Sequence, residues 1–220
     1  MDMFNNNLIE SIVLCFGSQI GKTEAELNMI GFALHQSKAP VMMVYPTDTL
    51  AKFNGDKRVE PMIKNTEPLA KLYNENESSK LELNFNIGNY LVLSGANSPA
   101  SLASRAIKYV FFDEVDKYPV FSGKEANPIK LATERTKTFV DAKHVMVSTP
   151  TVETGNIWTA FKQAHAQKEY YVPCPHCGEY QKLVFKQIKW PDEAKGNKDR
   201  IRDTAYYECV HCKQAIHDKH

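Results

Sequence analysis

The feature that most narrows the fold is an alternation running through the first three quarters of the chain. Short, nearly continuous apolar runs are separated by stretches with helical spacing. Ser11–Phe16, Val41–Tyr45, Tyr109–Phe112 and His144–Ser148 are such runs, and each predicts a strand covered on both faces. Leu27, Ile30 and Leu34 share one face of a helix expected from Lys22 to about Ser37. Further helices are expected over Val59–Tyr73, Ser98–Ile107, Asn127–Thr138 and Asn156–Gln167, with Pro61 and Pro68 limiting the regularity of the first. Leu81–Phe85 and Tyr90–Ser94 read as a hairpin turning at Gly88-Asn89. The pattern as a whole predicts an α/β fold, with a mostly parallel sheet flanked by helices.

Between the first strand and the first helix lies Gly17-Ser18-Gln19-Ile20-Gly21-Lys22-Thr23. A phosphate-binding loop belongs there: backbone N–H groups cradle phosphate, the lysine pairs with its oxygens, and the threonine hydroxyl holds Mg²⁺. The match is imperfect, because Phe16 stands where the pattern wants its first glycine and Gly17 follows one place late. A bare Gly-Lys-Thr also opens ordinary helices. About 90 residues downstream, the run Tyr109–Phe112 ends in Asp113-Glu114. Adjacent acids at a strand end are by themselves a common solvated turn. Together with the loop they indicate a P-loop ATPase, with Asp113 on Mg²⁺ and Glu114 polarising the attacking water. Ser148-Thr149 ends another strand, where hydroxyls can sense the γ-phosphate, although a plain turn at Pro150 reads equally well. Asp116 reads as structural or as a residue supporting the site from behind.

The remainder of the chain differs in kind. Cys174-Pro-His-Cys177 and Cys209-Val-His-Cys212 form two C-x₂-C pairs separated by 31 residues. Such pairs present four thiolates to one tetrahedral Zn²⁺, a closed and therefore structural site. His176 and His211 lie between the thiols and are alternative ligands. The division expected is an ATPase domain over 1–168 and a zinc-ribbon-like module over 169–220. Cys15 sits alone in an apolar run and reads as core. Paired knuckles with an odd cysteine suit a reducing compartment, the cytoplasm. With 27 basic and 26 acidic residues the net charge is +1, which excludes binding nucleic acid through bulk charge alone. No apolar run approaches the roughly 20 residues a membrane helix needs, and Met1–Glu10 lacks the form of a secretory signal.

The motifs occur in one order. They are Ser18-Gln19-Ile20-Gly21-Lys22-Thr23-Glu24, Gly95–Leu102, Ser104-Arg105, Phe112–Pro119, Glu134–Thr138, Ser148–Thr151 and Tyr171–Gly178. In that order and spacing, from about residue 11 onward, the chain resembles the large terminase subunit of lambda-like tailed phages, a DNA-packaging ATPase that also cuts concatemeric DNA. The resemblance implies ATP and Mg²⁺ at Gly17, Ser18, Gln19, Ile20, Gly21, Lys22 and Thr23, with Asp113 as metal-binding acid and Glu114 as catalytic acid. Ser148-Thr149 would couple hydrolysis to motion. Ser18 replaces an arginine found in some branches, so the transition-state cation is sought among Arg58, Arg105 and Arg135, with Arg105 the first choice. The implied partners are double-stranded DNA, the small terminase subunit, the portal protein and further copies of the chain, in the host cytoplasm and not at a membrane.

Two expectations cut against the family pattern. Only about ten residues precede the loop, where the family has an adenine-side segment, and the chain stops at His220 without a nuclease-like acid cluster. A truncated gene product, a split gene or a fragment is expected, one that hydrolyses ATP weakly alone, does not cut duplex DNA, and touches DNA only in a salt-sensitive, sequence-independent way. Two other readings use parts of the same pattern. A helicase-like ATPase would need a second motor domain, for which 220 residues leave no room. An inactive remnant would bind partners through its zinc module and show no nucleotide-dependent thermal shift.

Overall fold

The computed structural model describes residues 1–119 and 127–217. The chain forms two compact units, Met1–His165 and Ala166–His220. The first is built on seven strands: β1 (Ser11–Cys15), β2 (Val41–Tyr45), β3 (Tyr73–Ser79), β4 (Glu82–Phe85), β5 (Tyr90–Gly95), β6 (Tyr109–Asp113) and β7 (Lys143–Ser148). Their order across the sheet is β1-β7-β6-β2-β5-β4-β3. The five strands from β1 to β5 in that order are parallel, and β4 and β3 continue the sheet as an antiparallel meander.

Period-two alternation explains why the central strands read as unbroken apolar runs. In β2, Val41, Met43 and Tyr45 enter one core, while Met42 and Val44 enter the other. β6 divides likewise, with Tyr109 and Phe111 on one side and Val110 and Phe112 on the other. Every residue of both strands is buried, and all but Asp113 at the end of β6 are apolar. Complete burial of a side chain such as Phe111 stabilises by about 2–3 kcal/mol.

The helix after β1, Lys22–Phe32, continues through a π-helical turn, Ala33–Ser37, and stops at Lys38 in the left-handed region. It lays Leu27, Ile30 and Leu34 on the sheet. Elsewhere the helices are shorter than their apolar spacing suggests. Val59–Tyr73 resolves into Glu60–Asn65 and Glu67–Ala70, each with a proline in its first turn, where the ring is tolerated. Ser98–Ile107 contains only Pro99–Leu102, and Asn127–Thr138 contains Pro128–Thr133 plus a 3₁₀ turn at Glu134–Thr136. The last helix of this unit, Asn156–Gln163, ends four residues earlier than expected, where Ala164 is extended. Elements of this unit with no counterpart in the sequence reading include the helices Asp2–Asn5 and Asp48–Asn54, the π-helical turn Gly55–Val59 and the strand β3. The hairpin turn has Gly88 at φ +85°, and the buried Asn89 donates to the Leu34 carbonyl (3.0 Å).

The second unit contains two small antiparallel sheets. One pairs β8 (Tyr171–Pro173) with β9 (Tyr180–Lys182). The other has the order β10 (Ile188–Lys189), β11 (Tyr206–Glu208), β12 (Ala215–Ile216). Among the described residues, no helix is long and apolar enough to cross a membrane.

Candidate functional site

Sheet order brings three separate motifs to one edge. β7 lies between β1 and β6, with Cys15 opposite Ser148 and Asp113 opposite Val147. The loop leaving β1, the acids ending β6 and the hydroxyls ending β7 therefore meet at the carboxyl ends of parallel strands, where α/β sheets bind ligands. Phe16 N–H donates to the Ser148 carbonyl (3.2 Å), tying the loop's first residue to β7.

The loop itself, Gly17 to Ile20, is exposed. Gln19 (φ +58°) and Gly21 (φ +83°) adopt left-handed backbone two residues apart. Turns of this kind aim successive N–H groups into one concavity that suits an anion. Gly21 needs to be glycine for its φ; Phe16, standing at the pattern's first glycine, has no left-handed backbone and needs none. Lys22 and Thr23 follow in the first turn of the helix.

The Lys22 side chain, only 11% exposed, joins the motifs. Its Nζ donates to Thr149 Oγ1 (2.7 Å) and stands 3.0 Å from Glu114 Oε1. The other Glu114 oxygen meets Lys117 Nζ at 3.0 Å. Burial raises the Glu114 carboxyl's pKa, but hydrogen bonds and charge from Lys117 and Lys22 outweigh it and hold it below the usual range. Glu114 also has φ +55°, a strained conformation for a non-glycine residue and a frequent mark of a working site. Asp113 differs from its neighbour. It is 7% exposed, and its Oδ1 is buried without a hydrogen-bond partner. Burial and the Glu114 charge push its pKa up to about 6, opposed by Lys22, a backbone hydrogen bond and Arg58. Two adjacent acids thus hold different environments, one neutralised by cations and the other orphaned.

Behind them, Ser148 is fully buried, with its Oγ accepting from Asp116 N–H at 3.4 Å. Asp116 does more than occupy a turn. Its Oδ2 accepts from the Thr151 amide and hydroxyl (both 3.0 Å), and its Oδ1 from the Ile157 amide (2.8 Å) at the start of helix Asn156–Gln163. It lashes the turn after Glu114 to the segment after Ser148-Thr149. No spacing in the sequence announced that clamp.

The three arginines separate. Arg105 makes a bidentate pair with Glu82 (2.6 and 2.8 Å) and stacks on Tyr90 at 5.5 Å. It precedes β6 and so lies at the strand's amino end, opposite the Lys22–Glu114 cluster. Within one chain this first choice for the transition-state cation is therefore committed elsewhere. Arg135 donates to the Ala103 carbonyl (3.3 Å) on the same side as Arg105. Arg58 is the arginine whose charge acts on Asp113 and on Tyr45.

In the second unit the four cysteines converge. Their sulfurs all lie within 4.8 Å of one another, with Cys174···Cys212 at 3.8 Å and Cys177···Cys209 at 3.9 Å. Zn–S bonds of about 2.3 Å directed to tetrahedral corners put sulfurs about 3.8 Å apart. The two knuckles repeat one backbone design: His176 N–H donates to Cys174 Sγ and His211 N–H to Cys209 Sγ, each at 3.4 Å. Gly178 N–H returns to the Cys174 carbonyl (2.9 Å) as Lys213 N–H does to that of Cys209 (3.1 Å). The His176 ring is engaged with the Ala215 carbonyl (2.9 Å), not aimed at the thiols. Gln181, buried between strands, accepts from Val210 N–H (3.0 Å) and ties the second knuckle to β9.

Comparison with known proteins matches this architecture. The chain is 25% identical over 225 residues to the terminase large subunit of Enterobacteria phage P21, covering 99% of this chain and 35% of that protein. It is 22% identical over 217 residues to that of Escherichia phage lambda, covering 96% and 34%. The chain thus spans about a third of the length of these curated relatives. Among solved structures it resembles the large terminase ATPase domain of Thermus phage P74-26 (TM-score 0.58, 19% identity, 79% of this chain and 72% of that one). It also resembles the large terminase of bacteriophage HK97 (TM-score 0.58, 11% identity, 70% and 32%). The family described as phage terminase large subunit gpA, ATPase domain, matches residues 1–220, and to that family the chain belongs.

Proposed function

We propose that the chain is an ATP-hydrolysing motor that drives double-stranded DNA into a phage prohead in the host cytoplasm. The observation that carries this reading is the bridge from Lys22 to both Glu114 and Thr149. One lysine there meets the acid that would polarise water and the hydroxyl that would report the γ-phosphate. Phosphate arriving in the loop competes for Lys22. Its departure from Glu114 leaves that carboxylate free to orient water, while Thr149 loses its donor and can follow the phosphate. Asp116 passes any displacement of the Glu114 turn directly to Thr151 and to helix Asn156–Gln163.

The residues present fit a divalent cation: the orphaned Asp113 Oδ1 supplies an acceptor, and Thr23 sits in the adjoining helical turn. Bound Mg²⁺ supplies charge neutralisation on the β and γ oxygens. The four thiols fit Zn²⁺ in a zinc-ribbon-like module, a closed and structural site. Of the three arginines, Arg58 is the one whose charge bears on Asp113 and is the candidate cation within one chain. The family resemblance supports DNA, the small subunit, the portal protein and further copies of the chain as partners.

The test is Mg²⁺-dependent ATP binding and turnover. Lys22→Ala should abolish nucleotide binding. Glu114→Gln should bind ATP yet lose turnover by about 10²–10⁴-fold, the usual contribution of a positioned general base. Equal turnover by wild type and Glu114→Gln would overturn the assignment. Arg58→Ala should lower turnover of the isolated chain more than Arg105→Ala does.

A further inference from the structure

Glu26 is drawn into the site by no motif. It lies one helical turn beyond Lys22 on Lys22–Phe32, between Leu27 and the loop, and it is completely buried. Neither of its carboxylate oxygens has a hydrogen-bond partner among the described residues. The charges that bear on it are those of Asp113, Glu114 and Lys22, so it faces the nucleotide site. A buried carboxyl left unpaired costs several kcal/mol, and a leucine or methionine would fill this helical position without that cost. Such an exception calls for a partner that arrives later.

Asp113 Oδ1 is the other orphaned acceptor in the same place. Both groups present buried oxygens that no protein donor satisfies, an arrangement suited to a ligand that brings donors. Direct coordination by all three acids is excluded by geometry. Among the described residues, the only group of three or more metal-ligating side chains with ligand atoms within 4.8 Å is the cysteine cluster. Mg²⁺ gives up its water reluctantly and is usually held through one or two carboxylates with several waters retained. Those waters are strong donors and need acceptors in the protein.

We propose that Glu26 is a positioning residue of the metal site, accepting hydrogen bonds from water on a divalent cation whose direct carboxylate contact is Asp113. The inference rests on the reading of Asp113 as the metal-binding acid and goes beyond it by assigning the outer wall of the hydration shell. Glu26 reaches the ion through water, from the helix that also carries Lys22 and Thr23. Phosphate contact and metal hydration are thereby set by one rigid element.

The experiment is Mn²⁺ binding to the full chain, followed by electron paramagnetic resonance with a non-hydrolysable ATP analogue present. Glu26→Gln keeps the shape but turns one acceptor into a donor, and it should weaken Mn²⁺ binding about tenfold or more. Analogue binding measured in chelator should be unchanged. Glu26→Met should lose Mn²⁺ affinity to at least the same degree while raising the melting temperature of the metal-free protein. Unaltered Mn²⁺ affinity in both variants overturns the role of Glu26 and leaves the Asp113 reading standing. Wild-type protein that takes up no Mn²⁺, or Asp113→Asn that binds it as wild type does, overturns the metal site and this inference with it.

Discussion

The two units hold themselves together by opposite means. Met1–His165 buries two apolar clusters, one on each face of its sheet, and its central strands are inaccessible on both sides. In Ala166–His220, the buried described residues are Cys174, Gln181, Ala194 and Cys209. Two of those four are thiols. Tyr170, Phe185 and Tyr180 remain 83%, 80% and 65% exposed. A segment of this size without a core needs a staple, and the sulfur tetrahedron supplies the place for one. The contrast teaches where metal matters. In the first unit burial builds the scaffold, and a cation would complete a site that already exists. In the second, the cation would stand in for the scaffold.

That contrast is broken most directly by removing metal. A strong chelator should unfold Ala166–His220, because structural zinc binding supplies on the order of 10–16 kcal/mol that is also folding energy. Hydrogen exchange should rise across Tyr171–Ile216 while β2 and β6 stay protected. Protection lost equally in both units would show that they do not fold independently. The reciprocal change is Phe111→Ala. It empties a fully buried position and should cost about 3–5 kcal/mol in the first unit, leaving one zinc per chain by elemental analysis.

Legibility in the sequence followed the same division of forces. β2 is bounded as its apolar run predicts, because it is buried on both faces, and β1, β6 and β7 differ by a residue at one end, where β6 closes on the buried Asp113 and β7 opens on Lys143. β3 escaped notice because Tyr-Asn-Glu-Asn-Glu-Ser-Ser is an edge strand, polar after Tyr73 and paired only with its neighbour β4. The helix Asp48–Asn54 did carry a signal, the Thr47 side chain capping the Leu50 amide (3.2 Å), but Leu50 and Phe53 are exposed and show no buried stripe. In the site, Lys22, Glu114 and Thr149 were legible as motifs, since backbone approach and strand ends dictate residue type locally. Glu26 was not, and of Asp116 a supporting role was legible but not its partners. Their meaning depends on tertiary neighbours 35 and 87 positions away, Thr151 and Asp113, which no spacing records.

A smaller effect separates the units by pH. His144, at the start of β7, is held below the ordinary histidine range by burial, with the Glu10 carboxylate 3.7 Å away opposing. Its folded form therefore stays neutral where the unfolded chain already takes up a proton. Stability from this group is present above about pH 6.5, the unfolded value, and falls as pH drops through it. The melting temperature of the first unit should decline between pH 7 and 5 more steeply in wild type than in His144→Gln. Parallel curves for the two proteins would remove His144 from the account. The thiol cluster should lose metal over acid pH for a different reason, protonation of its ligands, giving a second transition that His144→Gln leaves in place.

The finest comparison lies within the second unit, between its two cysteine knuckles. Gly178 and Lys213 hold the same place after the second cysteine, each returning its N–H to the first cysteine's carbonyl. Their φ angles are +75° and +62°. Glycine adopts that backbone without steric cost, whereas lysine pays for its Cβ, on the order of 1 kcal/mol. Lys213 recovers part of this through its Nζ, which donates to the Val210 carbonyl (3.0 Å) across the same turn. Lys213→Gly should therefore leave stability within about 0.5 kcal/mol of wild type, relief of strain offsetting the lost bond and greater unfolded-state entropy. Gly178→Ala has no side-chain bond to compensate and should destabilise the module by about 1 kcal/mol. The readout is the chelator concentration at half-unfolding, compared between the variants at fixed zinc. If the two substitutions shift it equally and in the same direction, the knuckles are not one repeated design and the left-handed turn is not what sets their strength.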